Sequence, residues 1–301
     1  STPLSRVAFV TCEPRKESWE DDVPAADLVA VAGNDVEFIP WDDPDCDWSS
    51  WDLIINRSTW DYTDRLEEYL AWVDSVDPAK LRNAPAVIRW NVDKRYLADL
   101  DAAGLPVPPT MLVGPGDRLP ELHGEFVVKP VVGGGARDTG RFSDDSIEES
   151  GVLINSIIDS GRIAMIQPYI DEIETHGETA VMAFNGRIAY SLNKKAFLGP
   201  DEAAPVGEDG IAVAMFDEEL VTLSQAAPAE LELAARTLTW LGGRFGAMPL
   251  FARIDMVQTR NGPPVLMEVE LTEPSLYLSQ TESLQETGTQ AFAAAIIEQL
   301  G

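Results

Sequence analysis

The chain is poor in the residues that build metal centres, disulfide frameworks and histidine-dependent catalytic sites. Its 301 residues include two cysteines and two histidines. Cys12 and Cys46 are too few for a disulfide scaffold or a cysteine-ligated zinc site. His123 and His176 exclude a histidine-rich metal site and disfavour a histidine-dependent triad. No stretch approaches the ~20 apolar residues of a membrane helix, and the start does not resemble a secretory signal, so we expect a cytoplasmic protein.

Positive charge is also scarce, since 22 Lys and Arg residues face 51 Asp and Glu residues and the net charge is −29. A surface this acidic repels nucleic acid and anionic membranes, so we expect neither as a partner. An anionic ligand would then need cations gathered at one place, which makes the position of each lysine informative. The six lysines are Lys16, Lys80, Lys94, Lys129, Lys194 and Lys195.

The pattern of apolar and turn residues predicts a mixed α/β protein. Short apolar strands and amphipathic helices alternate before residue 90, which indicates a small parallel α/β domain. PAVIRW (85–90) is predicted as a further short strand, and Asn91 as the N-cap of the helix that follows it. Two hairpins are predicted farther along the chain, with Asn-Gly turns at 185–186 and 261–262.

The segment FVVKPVVGGG (126–135) places Lys129 near the end of an apolar strand, four residues before the first of three glycines. An ammonium group on a strand needs solvent or an anionic ligand, and the backbone N–H groups of a glycine-rich loop can cradle phosphate. The three glycines are Gly133, Gly134 and Gly135. Together these residues indicate a nucleotide phosphate site. The alternative is an edge-strand lysine before a flexible loop.

The second predicted hairpin gathers acidic residues on one face. A turn centred at 261–262 pairs Asp255 with Glu268 and Arg253 with Glu270, and all four side chains then lie on the same side of the ribbon. Like charges that face each other destabilise a ladder, and carboxylate oxygens are ligands that suit Mg²⁺. The pattern therefore predicts a Mg²⁺ site beside a fixed arginine. The alternative is a solvated acidic sheet face.

Three further segments are candidates for lining a ligand cleft. Lys94 is predicted in the first turn of its helix, where an anion is favoured over a second positive charge, although an exposed lysine explains it equally well. IQPYI (166–170) forms either a slot for a nucleotide base or ordinary core. NRSTWDY (56–62) ends a strand, where ligands of open α/β sheets bind, or it forms a plain loop. Its candidate ligands for a substrate carboxylate are Arg57, Ser58 and Thr59.

Four segments, in this order and over nearly the whole chain, resemble the ATP-grasp ligases of the glutathione-synthetase-like kind. They are WNVDKRYLADLDAAGLPVPPT (90–110), FVVKPVVGGGARDTG (126–140), IQPYIDEIETHGE (166–178), and ARIDMV with PPVLMEVELTEPS (252–257 and 263–275). The resemblance implies an ATP-grasp fold of class α/β (α+β) with three domains and ATP bound between the second and third. The expected domains are an N-terminal parallel α/β domain (1–90), a central subdomain with a glycine-rich lid (91–166) and a C-terminal subdomain with the metal site (167–301).

The resemblance also implies roles for individual residues. Lys94 and Lys129 would hold the ATP phosphates under a lid that contains Gly133, Gly134 and Gly135. Gln167, Pro168, Tyr169 and Ile170 would form the adenine hinge, and Glu178 would bind the ribose. Asp255, Glu268 and Glu270 would bind Mg²⁺ or Mn²⁺, Arg253 and Lys129 would act in phosphoryl transfer, and Ser275 would join Arg57, Ser58 and Thr59 at the substrate. The family usually has Asn at the position of Glu270, so Glu270 either binds metal or contacts an amine of the substrate.

The activity that the resemblance implies is ATP-dependent carboxylate–amine ligation through an acyl phosphate. NRSTWDY and EVELTEPSLYL are most similar to a small bacterial subgroup of antibiotic biosynthesis, in which a cyclo-ligase closes one amino-acid-like substrate into a ring. Two alternatives remain: a ligase that joins two amino acids, and an ATP-binding module without ligase activity. We expect a small amino-acid-like substrate and a homodimer or larger homo-oligomer.

Overall fold

The computed structural model describes residues 2–15, 19–134, 137–196, 202–203 and 220–301. Within these residues the chain forms three β-sheets, flanked by helices. This arrangement is the mixed α/β class that the sequence predicts. None of the described helices is both long enough and apolar enough to span a membrane.

The first sheet is parallel and lies in the N-terminal part of the chain. Its strands are β1 (Arg6–Thr11), β2 (Asp35–Pro40), β3 (Leu53–Ser58) and β4 (Leu81–Arg82), in the order β2-β1-β3-β4. Helices α1 (Val23–Val31) and α2 (Leu66–Ser75) connect them. Because the crossovers place helices on the two faces, β1 and β3 are buried on both sides and their sequences are nearly continuous apolar runs.

Alternate residues of β1 serve two different cores. Val7 and Phe9 belong to a core that includes residues of α1, whereas Ala8 and Val10 belong to an aromatic-rich core with residues of α2. Successive side chains of a strand point to opposite faces, which produces this division. The aromatic core includes Tyr69 of α2.

Residues 85–90 form a helix and not the predicted strand. Helix α3 (Pro85–Asn91) begins with a proline in its first turn, a position that suits the fixed φ of proline. Val87 packs into a core with Tyr96 and Leu97, whereas Ile88 packs into the aromatic core. Adjacent residues of a helix point in different directions, so one helix can contribute to both cores. Helix α4 (Tyr96–Ala102) starts only after a break, so Asn91 ends α3 and is not the N-cap that the sequence predicted.

The second sheet is antiparallel and occupies the central part of the chain. Its strands are β5 (Met111–Val113), β6 (Phe126–Pro130), β7 (Gly140–Phe142), β8 (Ala164–Pro168) and β11 (Glu202–Ala203), in the order β11-β7-β6-β8-β5. Helix α5 (Ile147–Asp159) packs Ile154 and Ile157 against Val128 of β6. Strand β8 crosses the expected domain boundary at 166–167, so the central sheet continues to Pro168.

The third sheet is antiparallel and carries both predicted hairpins. Its strands are β9 (Glu178–Phe184), β10 (Arg187–Lys194), β12 (Val221–Ser224), β13 (Phe251–Thr259) and β14 (Gly262–Glu270), in the order β12-β10-β9-β13-β14. The remaining helices are α6 (Glu172–His176), α7 (Pro228–Phe245) and α8 (Gly288–Leu300). One face of the sheet shares a core with α4 and α7, and the other with α8, α1 and the first sheet. Residues of α4, expected in the central subdomain, therefore pack below the third sheet.

Three buried asparagines of the first 91 residues hold the backbone at the end of β14. We call Asn56, Asn83 and Asn91 the asparagine cluster. Their side-chain amides donate to the carbonyls of Thr272 (2.7 Å, from Asn56), Leu271 (2.7 Å, from Asn83) and Val269 (2.6 Å, from Asn91). Because the end of β14 carries the predicted metal ligands, the N-terminal part of the chain fixes the position of the site.

We predict that Asn83→Ala lowers the free energy of unfolding by about 3 kcal/mol, since buried backbone groups left without a partner cost about 1–3 kcal/mol each. The Asn83 amide donates to Phe251 and Leu271 and accepts from the N–H of Leu250. Urea denaturation measures the change. Asn155→Ala, on the exposed side of α5, is the control and should change stability by no more than about 0.5 kcal/mol. Similar small losses in both variants would contradict the positioning role of Asn83.

Candidate active site

A cleft lies between the second and third sheets, and residues Trp60 to Asp64, which follow β3, also line it. Most of the residues that the sequence singled out meet there. They are Lys94, Lys129, Gly133, Gly134, Gln167, Pro168, Tyr169, Ile170, Glu178, Arg253, Asp255, Glu268, Glu270 and Ser275. Gly135 lies outside the described residues. The cleft thus brings together side chains that are far apart in the sequence.

The second hairpin assembles the predicted metal ligands. Arg253 faces Glu270 and Asp255 faces Glu268 across β13 and β14, so the predicted pairing is confirmed. The three acidic residues each offer an oxygen, and these oxygens all lie within 4.8 Å of one another. Three close carboxylates are a fitting donor set for a hard divalent cation. Metal binding itself stays a prediction.

The hairpin reaches this pairing through two irregularities that the sequence did not indicate. Thr259 faces Gly262 at the turn, which is therefore centred one residue earlier than predicted. Two bulges between Asp255 and Thr259 then shift the ladder until the acidic residues face each other as expected. At a bulge, two residues of one strand lie opposite one residue of the other strand, so each of the two bulges shifts the register by one residue.

Arg253 is the buried cation of the hairpin. Its guanidinium donates to both carboxylate oxygens of Asp255 at 3.0 Å, lies 3.0 Å from Glu270 and donates to the carbonyl of Ser275 at 3.0 Å. Burial alone would lower the pKa of Arg253, but Asp255 and Glu270 outweigh it and raise the pKa well above the usual value. The planar guanidinium therefore fixes the positions of two of the three carboxylates.

The acidic residues differ in how well they are neutralised. Burial raises the pKa of Glu270 to about 8, since Glu268 and Asp255 add to the rise and Arg253 offsets only part of it. For Glu268 burial also favours the neutral form, but Lys94 and Lys129 outweigh it and the pKa falls below its usual range. A divalent cation held by these acids would favour the ionised form of Glu270.

Lys94 and Lys129 share one carboxylate. Their ammonium groups lie 3.8 and 3.7 Å from the same oxygen of Glu268. Burial lowers the pKa of Lys129, with Glu268 opposing the shift and Lys94 adding to it. Lys94 precedes α4, rather than lying in its first turn as predicted, and its ammonium donates to the carbonyl of Gly133 at 2.7 Å. One carboxylate cannot neutralise two cations, so the pair has charge to offer a phosphate.

Lys194, at the end of β10, is a cleft residue that the sequence analysis did not assign. Its ammonium lies 2.9 Å from Asp255 and 3.9 Å from Glu178. Burial would lower the pKa of Lys194, but Asp255 and Glu178 outweigh it and raise the pKa. A pair of lysines at the end of a hairpin is equally typical of an exposed surface, which is why the sequence offered no distinguishing signal.

The glycine-rich segment after β6 contacts both Lys94 and the residues that follow β3. A Cβ atom at Gly133 would lie 2.9 Å from the Pro130 side chain, so this position has no room for a larger residue. Just beyond the glycines, Arg137 donates to both carboxylate oxygens of Asp64 at 2.6 and 2.7 Å. Both residues line the cleft. This ion pair links the glycine-rich segment to the residues that follow β3.

The predicted adenine hinge forms one wall of the cleft. Gln167 is buried and its side chain donates to Thr110 at 3.1 Å, so the side chain braces the second sheet. The ring of Tyr169 lies 3.7 Å from the guanidinium of Arg141, which also pairs with Glu174. The aromatic ring is thus held in place beside the cleft, a suitable surface for a flat base. Adenine binding stays a prediction.

Arg57, Ser58 and Thr59 do not line the cleft, which corrects their assignment as substrate ligands. Arg57 is buried, pairs with Asp22 at 2.8 Å and donates to the carbonyl of Pro274 at 2.9 Å. Ser58 and Thr59 are also buried and hydrogen-bond to other buried side chains. The end of β3 does point to the cleft, but the side chains of Arg57, Ser58 and Thr59 are buried in the protein interior. The residues that follow Thr59 line the cleft.

The cleft residues that the sequence analysis left unassigned include Trp60, Tyr62, Glu273 and Tyr277. Trp60 donates from its indole N–H to the backbone carbonyl of Glu273 at 2.9 Å. Burial raises the pKa of Glu273 to about 7 in spite of the opposing charges of Lys94 and Arg253. These four residues lie in or beside the segments NRSTWDY and EVELTEPS. Their residue types alone indicated no chemical role.

Comparisons with known proteins agree with this architecture. A family model described as D-cycloserine synthetase DcsG, N-terminal domain, matches residues 7–83. Cycloserine biosynthesis protein DcsG of Streptomyces lavendulae is 34% identical over 293 residues, which cover 93% of this chain and 94% of that protein. The crystal structure of D-cycloserine synthetase DcsG superposes with a TM-score of 0.83 and 30% identity, covering 98% of this chain and 100% of that chain.

More distant structures share the fold. D-alanine–D-alanine ligase from Bacillus anthracis, solved in complex with ATP, matches with a TM-score of 0.62 and 14% identity over 98% of this chain and 97% of that chain. The ATP-grasp ligase PsnB, solved with Mg and ADP, matches with a TM-score of 0.59 and 13% identity over 98% of each chain. Such identities establish the fold alone, and the fold is the predicted ATP-grasp fold. With the similarity to DcsG over nearly its full length, the chain belongs to the DcsG family of ATP-grasp ligases.

Proposed function

We propose that this ligase converts O-ureido-D-serine to D-cycloserine at the expense of ATP. The observation that carries the proposal is a single cleft in which two lysines, a buried arginine and three close carboxylates meet, in a chain that is 34% identical to DcsG. The runner-up is a ligase that joins two amino acids, because D-alanine–D-alanine ligase has the same fold. A cytoplasmic location, a homo-oligomeric state and the use of Mn²⁺ stay predictions.

ATP would bind along the wall of the cleft between the second and third sheets. Lys94 and Lys129, beside the glycine-rich segment, would hold the phosphates, since their shared partner Glu268 leaves positive charge to spare. Mg²⁺ held by Asp255, Glu268 and Glu270 would neutralise charge on the transferring phosphoryl group. Arg253 would keep Asp255 and Glu270 in position for this purpose.

The first chemical step would be attack of a substrate carboxylate oxygen on the γ-phosphorus of ATP, which releases ADP and leaves an acyl phosphate. Lys129 and Lys94 would stabilise the charge that develops on the phosphoryl oxygens. Positioning and charge neutralisation supply most of the rate acceleration in such reactions, so the chain needs no covalent nucleophile of its own. This agrees with a cleft whose chemical groups are cations and carboxylates.

The second step would close the ring. The oxygen-linked nitrogen of the ureido group attacks the acyl carbon, loses its proton, and phosphate leaves with the bridging oxygen. D-cycloserine has no carbamoyl group, so the carbamoyl group is removed by one water as carbon dioxide and ammonia. Nucleophile and acyl phosphate belong to one molecule, and their proximity comes from the substrate itself.

Lys129→Ala should reduce kcat/KM roughly 100-fold or more, because loss of one charge that stabilises the transition state costs about 3 kcal/mol. ADP release in a coupled assay measures the effect. Lys80→Ala is the matched control, since Lys80 donates to the carbonyl of Ser49 outside the cleft and should retain wild-type activity. Activity of Lys129→Ala within a few-fold of wild type would remove Lys129 from the phosphate site.

The cyclisation itself predicts ATP turnover with O-ureido-D-serine as the only amino acid. Each D-cycloserine should appear with one ADP, because activation and ring closure occur on the same molecule. The measurement is ADP release against product mass by mass spectrometry. A requirement for a second amino acid, or a product with the mass of two substrates less water, would contradict cyclisation and favour the intermolecular ligase.

A further inference from the structure

One cleft carboxylate, that of Glu273, forms no salt bridge among the described residues. Acidic residues that line the cleft and form an ion pair are Asp61, Asp64, Glu178, Asp255, Glu268 and Glu270. Glu273 also lines the cleft, and no lysine or arginine within the described ranges forms a salt bridge with it. In a cleft with this many carboxylates, the exception marks Glu273 as a group available to a ligand.

The carboxylate of Glu273 also has an unsatisfied oxygen. Oε2 is shielded from solvent and finds no hydrogen-bond donor among the described residues. A buried oxygen without a donor costs free energy, and native structures keep few of them. Glu273 itself is only partly buried and lines the cleft, so a ligand that brings N–H donors into the cleft can approach its carboxylate.

The backbone around Glu273 is held by residues at the end of β3 and just after it. Three consecutive carbonyls, those of residues 272–274, each accept a hydrogen bond from a side chain there. The donors are Asn56 at 2.7 Å, Trp60 at 2.9 Å and Arg57 at 2.9 Å. A carboxylate on so fixed a segment is preorganised, as a recognition group needs to be. The role of Arg57 is thus to position this segment.

The proposed substrate offers a group that matches this carboxylate. Its own carboxylate is expected beside the lysines and the metal ligands, and the carbon next to that carboxylate bears a protonated amino group with three N–H donors. Resting on the proposed function, we propose that Glu273 binds the α-ammonium group of the substrate and selects α-amino acids over acids that lack it. Hydrogen bonds between charged partners are among the stronger ones.

The test compares two substrates in two variants. O-ureido-D-serine carries the amino group, and 3-(ureidooxy)propanoate has hydrogen in its place. Wild type should prefer the amino substrate by roughly 10- to 100-fold in kcat/KM, the range expected for hydrogen bonds to a charged group. Glu273→Gln should reduce that preference to less than about 3-fold, and Glu273→Asp, which keeps the charge, should retain part of it. The KM for ATP should not change.

Glu282→Gln is the matched control, because it makes the same substitution on an exposed residue farther along the segment. It should keep the full preference. Two results would overturn the proposal: an equal loss for both substrates in Glu273→Gln, or an effect confined to ATP or Mg²⁺ dependence. The first would indicate a structural role for Glu273 and the second a role at the metal site.

A binding measurement separates this inference from the proposed function, since it needs no turnover. By calorimetry, O-ureido-D-serine should bind Glu273→Gln roughly 10-fold or more weakly than wild type, whereas 3-(ureidooxy)propanoate should bind both equally. Binding to wild type without ADP release would contradict the proposed function and still support the role of Glu273. If Glu273→Gln changes neither turnover nor binding, the result would contradict the role of Glu273 but not the proposed function.

Discussion

The buried guanidinium of Arg253 is the charge on which the acidic cleft depends. It is 2% exposed, and it bonds to Asp255, Glu270 and the carbonyl of Ser275. In a chain with a net charge of −29, close carboxylates would repel one another without such a partner. Removing one member of a buried ion pair is costly because the other charge remains uncompensated. Arg253 thus maintains the donor set, whatever further part it has in phosphoryl transfer.

The N-terminal part of the chain, up to Asn91, positions the site more than it supplies ligands. The asparagine cluster holds the end of β14, and Arg57 and Trp60 continue the same pattern along the next residues. These contacts join β3, the residues just after β3 and β4, and the end of α3 to the end of β14 and the residues after it. Most of the side chains that make these contacts are buried. The DcsG N-terminal family model matches residues 7–83. These residues therefore contribute to the cleft largely by fixing the backbone at the end of β14 and just after it.

Most of the site residues that could be predicted were recognisable from their local spacing in the sequence. Strand periodicity, which is visible in the sequence, predicts which side chains share a face. It was sufficient to single out Lys129 before the glycines, and Arg253 with the alternating acidic residues of the hairpin. The acidic pairing was predicted correctly although the turn was placed one residue late, because two bulges shift the ladder back. Bulges and turn positions depend on packing, which a single sequence does not display.

The predictions from sequence that were wrong or missing concern residues whose structure or role depends on contacts with distant parts of the chain. Arg57 lies at the carboxyl end of β3, where ligands of open α/β sheets bind, but its partner Asp22 and the carbonyl of Pro274 come from distant segments. The helix at Pro85–Asn91 contains β-branched and aromatic residues that also suit a strand, and its position between two cores decided the outcome. Lys194 could not be recognised because its acidic partners lie on other strands.

The central claim is that the cleft activates a substrate carboxylate as an acyl phosphate. The most direct measurement follows oxygen-18 from the carboxylate of O-ureido-D-serine, labelled at both oxygens, into the inorganic phosphate released in a turnover. Attack of the carboxylate on ATP, followed by loss of phosphate with the bridging oxygen, predicts one oxygen-18 atom in each phosphate. Phosphate without the label, released together with D-cycloserine, would contradict the acyl phosphate and the function assigned to the cleft.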